Sequence, residues 1–109
     1  LSSAASDVYK RQMQNSDKIR SYLGFAARAN KIVFGTECIL MKKSVPVIVL
    51  GADAMQNTAK RIKNYAERSN SPVVTLENGT IEEIFKKQNC KVVAVTDVSL
   101  ANAIIENAK

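Results

Sequence analysis

Three residues in succession, Gly35-Thr36-Glu37, stand directly after a short apolar burst, Ile32-Val33-Phe34. Glycine there lets another backbone approach closely, and the N–H groups of a helix opening at that point are ready phosphate donors. As a bare motif the same residues also serve as a structural turn and cap. Lysines flank this loop (Lys31, Lys42 and Lys43) and a second loop before the last apolar run (Lys86, Lys87 and Lys91), and both groups are expected at one end of the molecule. Two acids, Asp53 and Asp97, follow apolar runs in comparable loops. Paired carboxylates there would hold magnesium or work as acid and base; each also caps a following helix, which accounts for both without chemistry.

Composition removes much of the remaining chemistry. None of the 109 residues is histidine, so a Ser-His-Asp or Cys-His nucleophile, a histidine metal ligand and an imidazole base are all excluded. Two cysteines, Cys38 and Cys90, are too few for a zinc site and read as reduced, buried thiols in apolar company, as in a cytoplasmic protein. Neither GxGxxG nor GxxxxGK[ST] occurs, so the usual phosphate-loop nucleotide sites have no support, and no cofactor, metal or small-molecule substrate is expected. No apolar run reaches the roughly 20 residues that span a bilayer, so no membrane association is expected. The net charge of +6 is compatible with a nucleic-acid partner. Aromatic residues are too few for a base-stacking platform, and most are expected in the core; any nucleic acid would be met through phosphates, backbone N–H groups and shape.

The elements that position these residues follow from periodicity. Residues 2–12, SSAASDVYKRQ, resemble the translation of a DNA sequencing adapter, and 1–12 are expected to be non-native; setting them aside removes Asp7, Lys10 and Arg11 and leaves 97 residues with a net charge of +5. From Ser16, the spacing of Ile19, Tyr22, Leu23, Ala26 and Ala27 predicts a helix that stops at Asn30. Ile32–Phe34 reads as a strand, and 37–43 as a short helix capped by Thr36, with Cys38, Ile39, Leu40 and Met41 on its apolar side. Val45–Leu50 and Lys91–Thr96 read as strands covered on both faces. Between them come the longest helix, Asn57–Ser69, whose Lys60, Arg61, Lys63 and Arg68 form a solvated face, and then the strand Val73–Leu76. An Asn78-Gly79 turn leads into a capping box, Thr80-Ile81-Glu82-Glu83, which opens a helix to about Lys87. A last helix begins at Asp97 or Ser99. This alternation predicts a single α/β domain over 13–109: a three-layer α/β/α sandwich around a mixed, mostly parallel four-stranded sheet.

Several segments taken in order, ARANKIVFGTE (27–37), PVIVLGADA (46–54), NSPVVTL (70–76), GTIEEI (79–84) and VVAVTDVSLANAI (92–104), resemble the kink-turn-binding ribosomal protein superfamily. That superfamily includes archaeal L-seven-Ae and eukaryotic L-thirty-e, and the small bacterial YlxQ-like branch is the most similar. The resemblance covers nearly everything from Lys18 to Glu106. It implies a non-enzymatic, cytoplasmic protein that binds structured RNA, such as a kink-turn in ribosomal RNA. It also implies that the Gly35 loop enters the RNA groove at tandem sheared G·A pairs, while the loop before the last strand closes over the bulged nucleotides. Gly35, Thr36 and Glu37 are then the groove residues, Lys31, Lys42, Lys86 and Lys87 the phosphate contacts, and Cys38 a packing residue beside them. Strong kink-turn binders read Gly-Thr-Asn-Glu and then a Lys; here Glu37, Cys38 and Met41 occupy the Asn, Glu and Lys positions. The alternative is a protein-interaction adaptor on the same fold; a third reading is a small enzyme built on Asp53 and Asp97.

Overall fold

The computed structural model describes residues 16–77 and 79–108. The expected leader at 1–12 lies outside them, as does Asn78 of the expected turn. Among the described residues nine elements follow in order: α1 (Ser16–Arg28), β1 (Ile32–Phe34), α2 (Thr36–Leu40), β2 (Val47–Leu50), α3 (Gln56–Ser69), β3 (Val73–Thr75), α4 (Ile81–Phe85), β4 (Val92–Val95) and α5 (Val98–Asn107). No helix among the described residues is long and apolar enough to cross a membrane.

All four residues of β2 and all four of β4 are buried, as continuous β-branched runs require. Successive strand residues point to opposite faces, so each strand feeds two cores. Val47, Val49, Val93 and Val95 pack with Ile19, Leu23 and Ala26 of α1, Ile81 of α4, and Ala101 and Ile104 of α5. Ile48, Leu50, Val92 and Ala94 pack instead with Ile39 of α2 and with Ile62, Tyr65 and Ala66 of α3. Of the expected core-facing aromatics, Phe25 is the exception, 48% exposed beneath the Arg28 guanidinium.

Helix ends follow the side chains placed there. Asn30 is left-handed at φ 60°, and the Lys31 and Asn30 N–H groups donate to the carbonyls of Ala26 and Ala27, closing α1 as a Schellman turn. The Thr80 hydroxyl accepts from the Glu83 N–H at 3.0 Å, giving the first half of the expected capping box. The Glu83 carboxylate then meets that same hydroxyl at 3.2 Å instead of reaching back to the backbone. Asp97 caps α5 by accepting from the Ser99 N–H.

The four strands form one mixed sheet in the order β1-β4-β2-β3. Only β2 and β3 are parallel; β4 runs antiparallel to both of its neighbours, so the expectation of a mostly parallel sheet is overturned. The reason lies between β3 and β4. With five residues, α4 rises only about 7.5 Å. The loop that follows contains left-handed Lys86 and Asn89, so the chain turns without crossing to the far end of the sheet. It enters β4 where β3 ended and must run back.

Candidate functional site

β1 and β2 run to the same end of the sheet, where β4 begins: Phe34 pairs with Val93, and Leu50 with Val92. The Gly35 loop, the Gly51–Asp53 turn and the 86–91 loop therefore converge there. Gly35 has φ 90° and ψ 149°, a region essentially restricted to glycine, and its N–H donates to the Val92 carbonyl at 3.1 Å. A Cβ built on Gly35 would meet nothing within 4 Å, so the backbone is open on that side.

Gly35, and not Thr36, is the N-cap of α2; Thr36 is its first helical residue, and no side chain caps the end. The helix ends at Leu40, short of the expected 37–43. Neighbouring residues project about 100° apart on a helix, so Cys38, Ile39, Leu40 and Met41 cannot share one apolar side. Ile39 takes the core, Met41 is 86% exposed, and Cys38 is exposed, which corrects the expectation of a buried packing thiol. Glu37 reaches across to α3, where Arg61 donates to its carboxylate at 2.8 Å. Both partners are largely exposed, so this pair neutralises charge more than it stabilises the fold.

The second loop meets the first through aromatic contacts. Phe85 stands edge-on to Phe34 at 5.1 Å, and the Lys87 ammonium lies 4.6 Å from the centre of the Phe34 ring. Lys86, the left-handed C-cap of α4, begins the loop with its side chain exposed. Cys90 closes the loop as a buried thiol; burial pushes its pKa up, against smaller opposing effects from the Val92 and Gly35 backbone. Lys91, grouped in the sequence with the basic residues flanking this loop, is already engaged: it donates to Asp53 at 2.6 Å and to Glu82 at 3.0 Å. The second Glu82 oxygen accepts the Asn89 N–H at 2.6 Å. Hydrogen bonds from Lys91 and then from Asn89 hold the Glu82 carboxyl below its ordinary pKa, while Asp53 first and Glu82 second raise that of Lys91.

The structure thus brings Lys87 against Phe34, the residue before Gly35, with Lys86 next to it in the second loop and Thr36, Glu37 and Cys38 following Gly35 in α2. Lys31 does not join them. It precedes β1, and its carbonyl accepts from the Thr96 N–H at the opposite end of the sheet. Lys42 lies beyond α2, its carbonyl held by the Tyr65 hydroxyl at 2.9 Å. Asp53 and Asp97 are also separated: β2 and β4 are antiparallel, so the loops after them lie at opposite ends and the two carboxylates cannot act as a pair. Among the described residues, no three His, Cys, Asp or Glu side chains cluster as metal ligands. Sequence reading missed the link between Asp53, Glu82 and Lys91; Asp53 and Lys91 stand 38 positions apart, and only the sheet joins them.

No protein-family model matches the sequence, and no curated protein matches it. Among solved structures, a protein with unknown function from Bacillus halodurans C is similar with a TM-score of 0.74 and 23% sequence identity. The match covers 83% of this chain and 95% of that one, and at this identity it establishes a shared mixed α/β fold alone.

Proposed function

We propose that this chain is a non-enzymatic, cytoplasmic RNA-binding protein, associated with ribosomes or another structured RNA, that recognises kink-turn-like bends. The layered α/β/α arrangement of the kink-turn-binding superfamily is the finer fold reading that goes with it. One observation carries the proposal: the Lys87 ammonium rests over Phe34, next to the open, positive-φ backbone of Gly35, so that two loops far apart in sequence form one surface. A sharp bend draws RNA phosphates together, and a surface offering lysines beside accessible backbone favours the bent form over the open one. The charge of Glu37, which would oppose RNA at this surface, is balanced by Arg61.

The test is a salt-titrated binding assay of the full chain on two RNAs: a kink-turn, and the same RNA with its sheared G·A pairs replaced by Watson–Crick pairs. Preference for the first is expected, with replacement of Lys86 and Lys87 by Ala lowering the salt slope by about one unit per lost phosphate contact. Equal, weak binding to both RNAs refutes the proposal. A second reading, a protein-interaction adaptor, is favoured by Met41, 86% exposed at the position where strong kink-turn binders carry a lysine.

A further inference from the structure

The 86–91 loop contains two left-handed residues that are not glycine, Lys86 at φ 54° and Asn89 at φ 58°. Such conformations persist where the surroundings over-determine them. The second of them, and the lysine two residues on, are held by a series of charge-assisted contacts. Glu82 on α4 accepts the Asn89 N–H with one oxygen and the Lys91 ammonium with the other, and Lys91 continues to Asp53. The turn carrying Asp53 is itself pinned, since the Gly51 N–H donates to the Lys91 carbonyl at 2.9 Å and the Ala52 N–H to the Gly79 carbonyl at 3.1 Å. Packing leaves no slack there: a Cβ on Gly51 would lie 3.0 Å from the Asp53 carboxylate and 3.2 Å from the Ile81 nitrogen. All three charged side chains are only about one-third exposed, between 31% and 33%, so water screens them less than a surface pair.

We propose that Asp53, Glu82 and Lys91 form a positioning clamp that fixes the 86–91 loop and presents Lys86 and Lys87 to a bound RNA backbone, touching none of it themselves. This rests on the reading of the chain as an RNA-binding protein. Electrostatics and positioning make opposite predictions here. Removing an acid beside a polyanion lowers repulsion and tightens binding if charge alone matters; if Glu82 acts by holding Asn89 and Lys91, its removal weakens binding.

The experiment compares the unsubstituted 109-residue chain with Glu82→Gln, Asp53→Asn and the Lys86→Ala/Lys87→Ala pair. Each is titrated with the kink-turn RNA and with its Watson–Crick counterpart. In parallel, nuclear magnetic resonance follows the Lys87 methylene protons, which the Phe34 ring current shifts upfield. Glu82→Gln is expected to bind the kink-turn about three- to tenfold more weakly, a range typical of network residues that do not touch the ligand, and to lose the ring-current shift. Asp53→Asn, which leaves the Glu82–Asn89 contact in place, should move both readouts the same way by less, and it carries the test if Glu82→Gln fails to fold. Unchanged or tighter binding by Glu82→Gln, with the lysine pair still weakened, overturns the clamp and leaves the RNA reading standing. If the wild type prefers neither RNA, the RNA reading falls, and with it the clamp's role in presenting the lysines to RNA. The ring-current shift then decides the remaining positioning claim: its loss in Glu82→Gln supports the clamp, and its persistence overturns it.

Discussion

Gly24 and Gly35 should respond to the same substitution with opposite signs. Gly24 lies inside α1, where the nearest atom to an added Cβ is an Arg28 nitrogen at 3.9 Å, an ordinary contact. Gly24→Ala therefore keeps the helix and removes the entropic cost of glycine, stabilising the domain by about 0.5–1 kcal/mol. An added Cβ on Gly35 also meets nothing, so crowding predicts no penalty there either. The penalty comes from the backbone. At φ 90° and ψ 149°, alanine must either hold a conformation costing about 1–3 kcal/mol or relax, breaking the hydrogen bond to Val92, worth about 0.5–1.5 kcal/mol. The cheaper route sets the result, a destabilisation of about 0.5–1.5 kcal/mol. Asparagine should not rescue the position, because its tolerance is for the left-handed helical region occupied by Asn30 and Asn70, far from ψ 149°. Thermal and urea unfolding of the three variants measure this, at about 4–8 °C in Tm per kcal/mol for a domain of this size. A Gly35→Ala protein that melts with or above the wild type refutes the argument that β1 is joined to α2 through a conformation reserved for glycine.

Alkylation by iodoacetamide of the native protein, followed by mass spectrometry, should modify Cys38 quickly and Cys90 only on unfolding, since one thiol is exposed and the other is buried with its pKa raised. The clamp should also leave a mark on the pH dependence of urea unfolding. The depressed pKa of Glu82 contributes stability that is present above its unfolded value and lost as pH falls through the folded one, whereas the raised pKa of Lys91 contributes stability that is present below its unfolded value and lost as pH rises through the folded one. Glu82→Gln should flatten the acid limb and Lys91→Met the alkaline limb.

Elements with their own periodicity were legible in the sequence. Val47–Leu50 and Val92–Val95 are uninterrupted β-branched or aliphatic runs, and burial on both faces follows directly. Ile62, Tyr65 and Ala66 repeat at helical spacing and face the core. The direction of β4 was not legible, because it depends on the turn after α4. That turn uses a left-handed lysine, a residue type with no preference for the conformation. The site divides in the same way. Gly35 could be singled out by its place at a strand end, though its positive φ was not anticipated, and the meeting of its loop with Lys86 and Lys87 was anticipated from their charge. The exclusion of Lys31 was not, since it requires knowing which end of β1 faces the second loop. Lys91 looked like one cation among several until the sheet placed two carboxylates against it.

The central position of β4 also bears on how the chain is made. Among the described residues β1 has no strand neighbour except β4, and β2 is covered on that side by β4 alone, yet β4 is synthesised last of the four. During translation, β2 and β3 can pair by themselves, while β1 waits through some sixty residues for its partner. Until Val92–Val95 emerge, β2 presents an open, wholly apolar edge, the kind of surface that recruits strands from other chains. The sheet is complete only once β4, one of its two fully buried strands, takes its place between β1 and β2, so premature termination before that strand is expected to leave an aggregation-prone fragment instead of a smaller folded one.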